Sequence, residues 1–276
     1  MKKELLWTGI FILTGIIGFS QTSSDRDRIV NKYQTENGET LLIKSEILNG
    51  NKDIFVGLPR NFNDSADYPL IIILEGEVLF ESFAPVTRLM AQVNEIPECI
   101  TVGIPLYNKH LDYAPKISGH PESGNADKML DFYRFELFPI LDSLYSCNDD
   151  RIIWAHSGLG GLFCTYLLLG PDSQFTGILS SSPNLRWIQE YIQKDNPFAE
   201  VSKKGKIFYY LTFGSEEGEE YMGEMYQHVQ EFNKILKNEA PDNLVWKYQL
   251  NEHNNHFTNA IETYIDGLTL YFEKMK

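Results

Sequence analysis

The stretch Ala155-His156-Ser157-Gly158-Leu159-Gly160-Gly161 sets a serine among small residues. It follows the run Arg151 to Ala155 and leads into an apolar segment suited to a helix. A serine on a tight turn between strand and helix exposes its hydroxyl, and small neighbours let the helix pack close to the strand. The backbone N–H after the serine then faces the oxygen that gains charge when the hydroxyl attacks a carbonyl, helped by the helix N-terminus. That is acyl chemistry through a serine nucleophile, and it needs a base. His256 lies after the last predicted strand and just before a helix, with His253 as its rival. A carboxylate past a strand end can orient the imidazole. Glu217, then Glu216, are the candidates in Phe213-Gly214-Ser215-Glu216-Glu217. Serine, acid and histidine then come in the chain order used by the strand–turn–helix serine hydrolases. His156, beside Ser157, is expected to point away from it.

The turn departs from the usual G-x-S-x-G pattern. Ala155 replaces the first glycine, and Leu159 stands two residues after the serine. One register keeps Ser157 as nucleophile and predicts a one-residue bulge at Gly158-Leu159, with Gly160 or Gly161 making the close helix contact. The other register is anchored on Gly160-Gly161. It puts Gly158 at the nucleophile position and describes an inactive scaffold.

Such a constellation needs strands whose ends converge. Continuous β-branched runs are strands buried on both faces. Pro69 to Leu74 and Ile100 to Ile104 are two of them. Arg151 to Ala155, Gly177 to Ser180, Ile207 to Phe213 and Val245 to Leu250 continue the series. Two alternating stretches near 40–48 and 53–58 precede them, and residues 22–38 read as polar and loose. Met129, Phe132, Phe135, Leu137, Ile140, Leu141 and Leu144 mark one helix. Ile261, Tyr264, Leu268 and Tyr271 mark a C-terminal one. Strand and helix alternate, which predicts an α/β fold with a mostly parallel sheet covered on both faces. Sites in such sheets form at the carboxyl ends of the strands.

Lys2 and Lys3 precede an apolar run from Leu5 to Phe19, and Ser20-Gln21 returns to polar sequence. Residues 1–20 therefore read as a cleaved secretory signal, which predicts a periplasmic or secreted protein without a stable membrane anchor. Residues 21–276 read as one domain. The net charge of −14 becomes −15 without the signal, which argues against nucleic acid and anionic lipid as partners. Cys99, Cys147 and Cys164 are an odd set of three and read as inert thiols. No Cys/His spacing suits a metal, so no metal and no cofactor is expected.

Taken together, the motifs resemble the "Putative esterase" family of α/β-hydrolases, whose relatives include enterochelin and other ferric-siderophore esterases, S-formylglutathione hydrolases and feruloyl esterases. Tyr68-Pro69-Leu70-Ile71-Ile72-Ile73-Leu74-Glu75-Gly76-Glu77 is similar to the family's Y-P-V-L-Y-x-L-D-G block. Phe132 to Pro139 resembles its F-x-x-F-L-x-x-E-L-x-P helix, and Ser181 to Trp187 its S-P-S-L-W-W segment. Asn255-His256-Phe257-Thr258 followed by Asp266-Gly267-Leu268 resembles its histidine loop, which favours His256 over His253. The resemblance implies backbone oxyanion donors at Glu77 and Gly158 and substrate contacts from Arg186 and Trp187. Lys109 to Pro115 departs from the family's R-x-R-D-x-T-P segment. The implied activity is hydrolysis of a small-molecule ester, on siderophore or carbohydrate esters, by a Ser157–His256–Glu217 triad. A non-catalytic binding protein and an acyltransferase are the alternatives.

Overall fold

The computed structural model describes residues 25–35, 37–108, 112–117, 119–121, 123–156, 158–171, 174–218 and 223–275. The expected signal, residues 1–20, and the expected nucleophile Ser157 lie outside the described residues.

A nine-stranded sheet runs through the chain in the order β1-β2-β3-β5-β4-β6-β7-β8-β9. Its first three strands, β1 (Ile29–Thr35), β2 (Gly38–Ser45) and β3 (Gly50–Gly57), are antiparallel. The remainder is parallel: β4 (Tyr68–Leu74), β5 (Ile100–Ile104), β6 (Cys147–Ala155), β7 (Gly177–Ser181), β8 (Ile207–Gly214) and β9 (Leu244–Asn251). This is the α/β-hydrolase architecture that the motif pattern predicts. Strand β1 corrects the expectation of a loose segment over 22–38. It pairs only with β2 at the sheet edge and exposes Val30 and Tyr33, so it carries too few apolar positions to announce itself.

Every residue of β4 is buried, and its side chains alternate between two apolar layers. Leu70, Ile72 and Leu74 face a layer built with α2 (Ala126–Phe132), α3 (Phe138–Leu144), α4 (Gly158–Leu169) and α5 (Glu224–Glu239). Ile71 and Ile73 face α1 (Gly76–Gln92) and α6 (His256–Lys274).

Two helix faces differ from the sequence expectation. Between α2 and α3 the chain makes a π turn over Tyr133–Leu137. The turn widens the helical repeat, so Tyr133, Glu136 and Leu137 turn inward while Phe135 turns out to solvent. On α6 the buried stripe runs through Ala260, Tyr264, Leu268 and Tyr271, and Ile261 lies outside it, 49% exposed.

Candidate active site

The site forms at the carboxyl ends of the parallel strands, where β8 and β9 deliver an acid loop and a histidine loop. The two strands pair up to Gly214 and Asn251, and the loops beyond stay bonded. Ser215 N donates to Asn251 O at 3.0 Å, and Glu216 N to Asn254 O at 2.9 Å. A Cβ on Gly214 would meet Asn254 O at 2.4 Å, so only glycine allows this approach.

The start of α6 is set by a capping box. Asn255 Oδ1 accepts from Phe257 N and Thr258 N, and Thr258 Oγ1 accepts from Asn255 N. The box makes His256 the first helical residue and aims its ring back at the acid loop. His256 Nδ1 lies 2.9 Å from Glu217 Oε2. Glu217 Oε1 accepts from Gly214 N at 2.7 Å and from the Ser182 hydroxyl. The Glu217 side chain is wholly buried and that of His256 is 13% exposed. Removing a carboxylate from water is costly unless donors surround it. Here three groups contact its two oxygens.

The runner-up residues pair with each other. His253 Nδ1 lies 3.2 Å from Glu216 Oε1, with side chains 87% and 61% exposed. His156 is buried with its ring centroid 4.8 Å from that of His256 and 5.7 Å from that of Phe257.

Strand β6 ends at Ala155 and α4 begins at Gly158, so the described chain resumes one residue past Ser157. Gly158 and Leu159 are regular helical residues; the bulge expected there is absent. Leu159 is half-buried and packs against the larger of the two apolar layers. The close contact is made by the glycines that follow. A Cβ on Gly161 would meet Ser181 O at 2.7 Å, and one on Gly160 would meet the Ala155 methyl at 3.1 Å. Gly160 thus leaves the room that Ala155 fills.

Glu77 occupies the first turn of α1, after β4, and Gly158 opens α4, after the neighbouring parallel strand β6. The two helices thus start from the carboxyl ends of adjacent parallel strands, on opposite faces of the sheet, and their first amides have no acceptor within their own helix. Glu75, before α1, is held in the left-handed region at φ 55. The Glu77 carboxylate accepts from Leu106 N at 2.9 Å. Asn184 N donates to Gly158 O at 2.9 Å, tying the 3₁₀ turn Leu185–Ile188 to the head of α4. On that turn Trp187 lies against His120 with centroids 4.5 Å apart and the rings tilted by 47°. Arg186 reaches Glu224 at 2.8 Å, so its charge is already paired.

Reading by motif gave no role to Ser182, Asn251, Asn259, Thr212 and Thr263, buried polar residues under the acid. Asn259 and Thr263 carried one signal: polar side chains four apart on an otherwise apolar helix face. The three cysteines are free. Burial pushes the Cys147 thiol up to about 12 and the Cys99 and Cys164 thiols higher still, so all three stay protonated at neutral pH. Among the described residues no group of three or more His, Cys, Asp or Glu could hold a metal ion.

A model of the "Putative esterase" family matches residues 45–267. The ferri-bacillibactin esterase BesA of Bacillus subtilis is 25% identical over 197 residues, which is 63% of this chain and 68% of that protein. The crystal structure of the BES protein from Bacillus cereus superposes with a TM-score of 0.74 at 24% identity, covering 87% of this chain and 96% of that one. The siderophore hydrolase EstB from Aspergillus nidulans superposes with a TM-score of 0.68 at 18% identity, covering 87% and 96%.

Proposed function

This chain belongs to the "Putative esterase" family, a family of carboxylic ester hydrolases, and within it we propose a serine esterase with Ser157 as nucleophile, His256 as base and Glu217 as the acid that orients it. The carrying observation is the 2.9 Å contact between His256 Nδ1 and a fully buried Glu217 carboxylate at the strand ends. With Nδ1–H donated to Glu217, His256 Nε2 is left as the acceptor of a proton. The Ser157 hydroxyl passes that proton to Nε2 as its oxygen attacks the acyl carbonyl. The amides of Glu77 and Gly158 receive the oxyanion, a contribution of about 3 kcal/mol per donor. Collapse of the tetrahedral intermediate expels the alcohol, which takes the proton from His256. Water, activated by the same imidazole, then frees the acid.

For the substrate we favour a siderophore-type ester, because proteins similar to this chain carry that activity in their names. Trp187 and His120 offer an aromatic face to such a ligand, and Arg186 would have to leave Glu224 to meet an anionic group. Residues 1–20 are proposed as a cleaved export signal and residues 21–276 as the mature domain. Among the described residues no helix is long and apolar enough to cross a membrane.

A fluorophosphonate probe with peptide mapping tests the nucleophile. Labelling at Ser157, lost in Ser157→Ala together with ester hydrolysis, is the expected result. A wild-type protein inert to the probe and to every ester favours the register with Gly158 at the nucleophile position and a binding function. Turnover of a ferric siderophore against simple and carbohydrate acyl esters, with and without an acceptor alcohol, sorts the substrate class and separates hydrolysis from acyl transfer. Intact mass of exported protein decides the signal: a species retaining Met1 to Ser20 refutes it.

A further inference from the structure

A layer of polar side chains lies beneath the His256–Glu217 pair, and the mechanism above does not use it. Ser181, Ser182, Thr212, Asn251, Asn259 and Thr263 are all essentially inaccessible. Apolar residues would fill this space without the cost of burying hydrogen-bonding groups. The arrangement of donors and acceptors indicates what the polar residues do instead.

Asn259 Oδ1 accepts from Asn251 Nδ2 at 2.8 Å, which turns the Asn259 amide nitrogen toward the strand ends. That nitrogen lies 2.7 Å from Ser182 Oγ, 3.0 Å from Ser181 Oγ and 3.2 Å from Thr212 Oγ1. An amide nitrogen only donates, so Ser182 Oγ accepts from it and its own proton must go elsewhere. The available acceptor is Glu217 Oε1. The Ser182 backbone is held in the left-handed region at φ 48, and its N–H is bonded to Thr212 O at 3.0 Å. Each bond in such a chain polarises the next. With Oε1 occupied by Ser182 and by Gly214 N, the carboxylate cannot rotate, and Oε2 faces His256.

We infer that Asn259 and Ser182 form a directed relay of donors that locks the Glu217 carboxylate for His256, making both of them positioning residues of the reaction. The inference rests on the triad of Ser157, His256 and Glu217 proposed above.

Ser182→Gly is the cleanest test, because glycine adopts φ 48 without strain while the hydroxyl is removed. On a chromogenic ester kcat is expected to fall about 10- to 100-fold with KM within about two-fold, since the lost contact acts in the transition state and not in substrate binding. The same substitution in a Glu217→Gln background is expected to change kcat by less than about three-fold, because residues acting through one another are not additive. Asn259→Asp conserves volume but replaces the donor with an acceptor that competes for the Ser182 proton. It is expected to lower kcat as Ser182→Gly does, with KM again unchanged. Thermal melts of each variant report folding separately.

Three results overturn the relay: Ser182→Gly with wild-type kcat, Asn259→Asp with wild-type kcat, or a Ser182→Gly deficit that persists in full beside Glu217→Gln. Failure of the triad looks different. There, Ser157→Ala or Glu217→Gln retains full turnover, and the relay falls with it.

Discussion

Two histidine–glutamate pairs stand on the same two loops, and only one of them is buried. His256–Glu217 and His253–Glu216 use the same ring nitrogen and the same kind of oxygen, at 2.9 and 3.2 Å. The inner pair is buried, with its carboxylate bonded on the far side to Ser182 and Gly214 N and its histidine held by a capping box. The outer pair is in water, and His253 sits in a left-handed turn at φ 63. An exposed contact of this kind contributes about 1 kcal/mol at most. A difference of one residue in the acid loop and three in the histidine loop thus separates an orienting contact from a surface one. What distinguishes them is the surrounding shell of donors.

The sharpest way to break the inner pair is to remove its imidazole. His256→Ala is expected to lower kcat by about 10⁴-fold or more, as does loss of the serine, because the members of a triad act as a unit. Ester hydrolysis by the folded variant reads this directly. A variant within ten-fold of wild type sinks the assignment of the base.

Glu217→Gln comes next, with an expected loss of about 10²- to 10⁴-fold in kcat, since the amide can hold the ring in the wrong tautomer without stabilising the imidazolium. Steady-state kinetics on one substrate suffices. If Glu216→Gln is the more damaging of the two, the assignment of inner and outer pairs is reversed.

Gly214→Ala strikes the shared scaffold. The added methyl would meet Asn254 O and press on Glu217 Cγ at 3.0 Å, so the loops must part. Overpacking of this sort costs about 1–3 kcal/mol of stability, and a roughly ten-fold loss of kcat should accompany it through displacement of the acid. Thermal unfolding and kinetics on the same sample check both. An unchanged melting temperature means the loops are looser than the contact implies.

The smallest effect belongs to the outer pair. His253→Ala and Glu216→Ala are each expected to stay within about three-fold of wild-type kcat/KM and within about 0.5 kcal/mol in stability, as for surface substitutions generally. A larger kinetic loss from His253→Ala would make the outer histidine a participant.

Much of this could be read from the chain directly. The run Ile100–Ile104 forms β5 with the boundaries its apolar residues suggest, and Pro69 to Leu74 forms the buried strand β4 with Tyr68 added. The resemblance of Asn255-His256-Phe257-Thr258 to a family histidine loop singled out His256, while the capping box that Asn255 and Thr258 form around it came with the structure. Other features escaped. Strand β1 is an edge strand whose exposed Val30 and Tyr33 give no alternation to recognise. Phe135 belongs by spacing to the helix core, but a π turn rotates it out. Leu159 suggested a bulge that the regular start of α4 does not contain.

The sequence by itself determined the alternation of strands and helices, the glycine-rich segment after β6 and the chain order of the proposed serine, acid and histidine. These depend on side-chain period, chain stiffness and contacts a few residues apart. Only the tertiary structure decided which glutamate loses its water. Glu217 meets Ser182 across 35 residues of chain, and Ser182 meets Asn259 across 77. A carboxylate's neighbourhood is set by where strand ends converge in space, and neighbouring residues along the chain carry no record of that convergence.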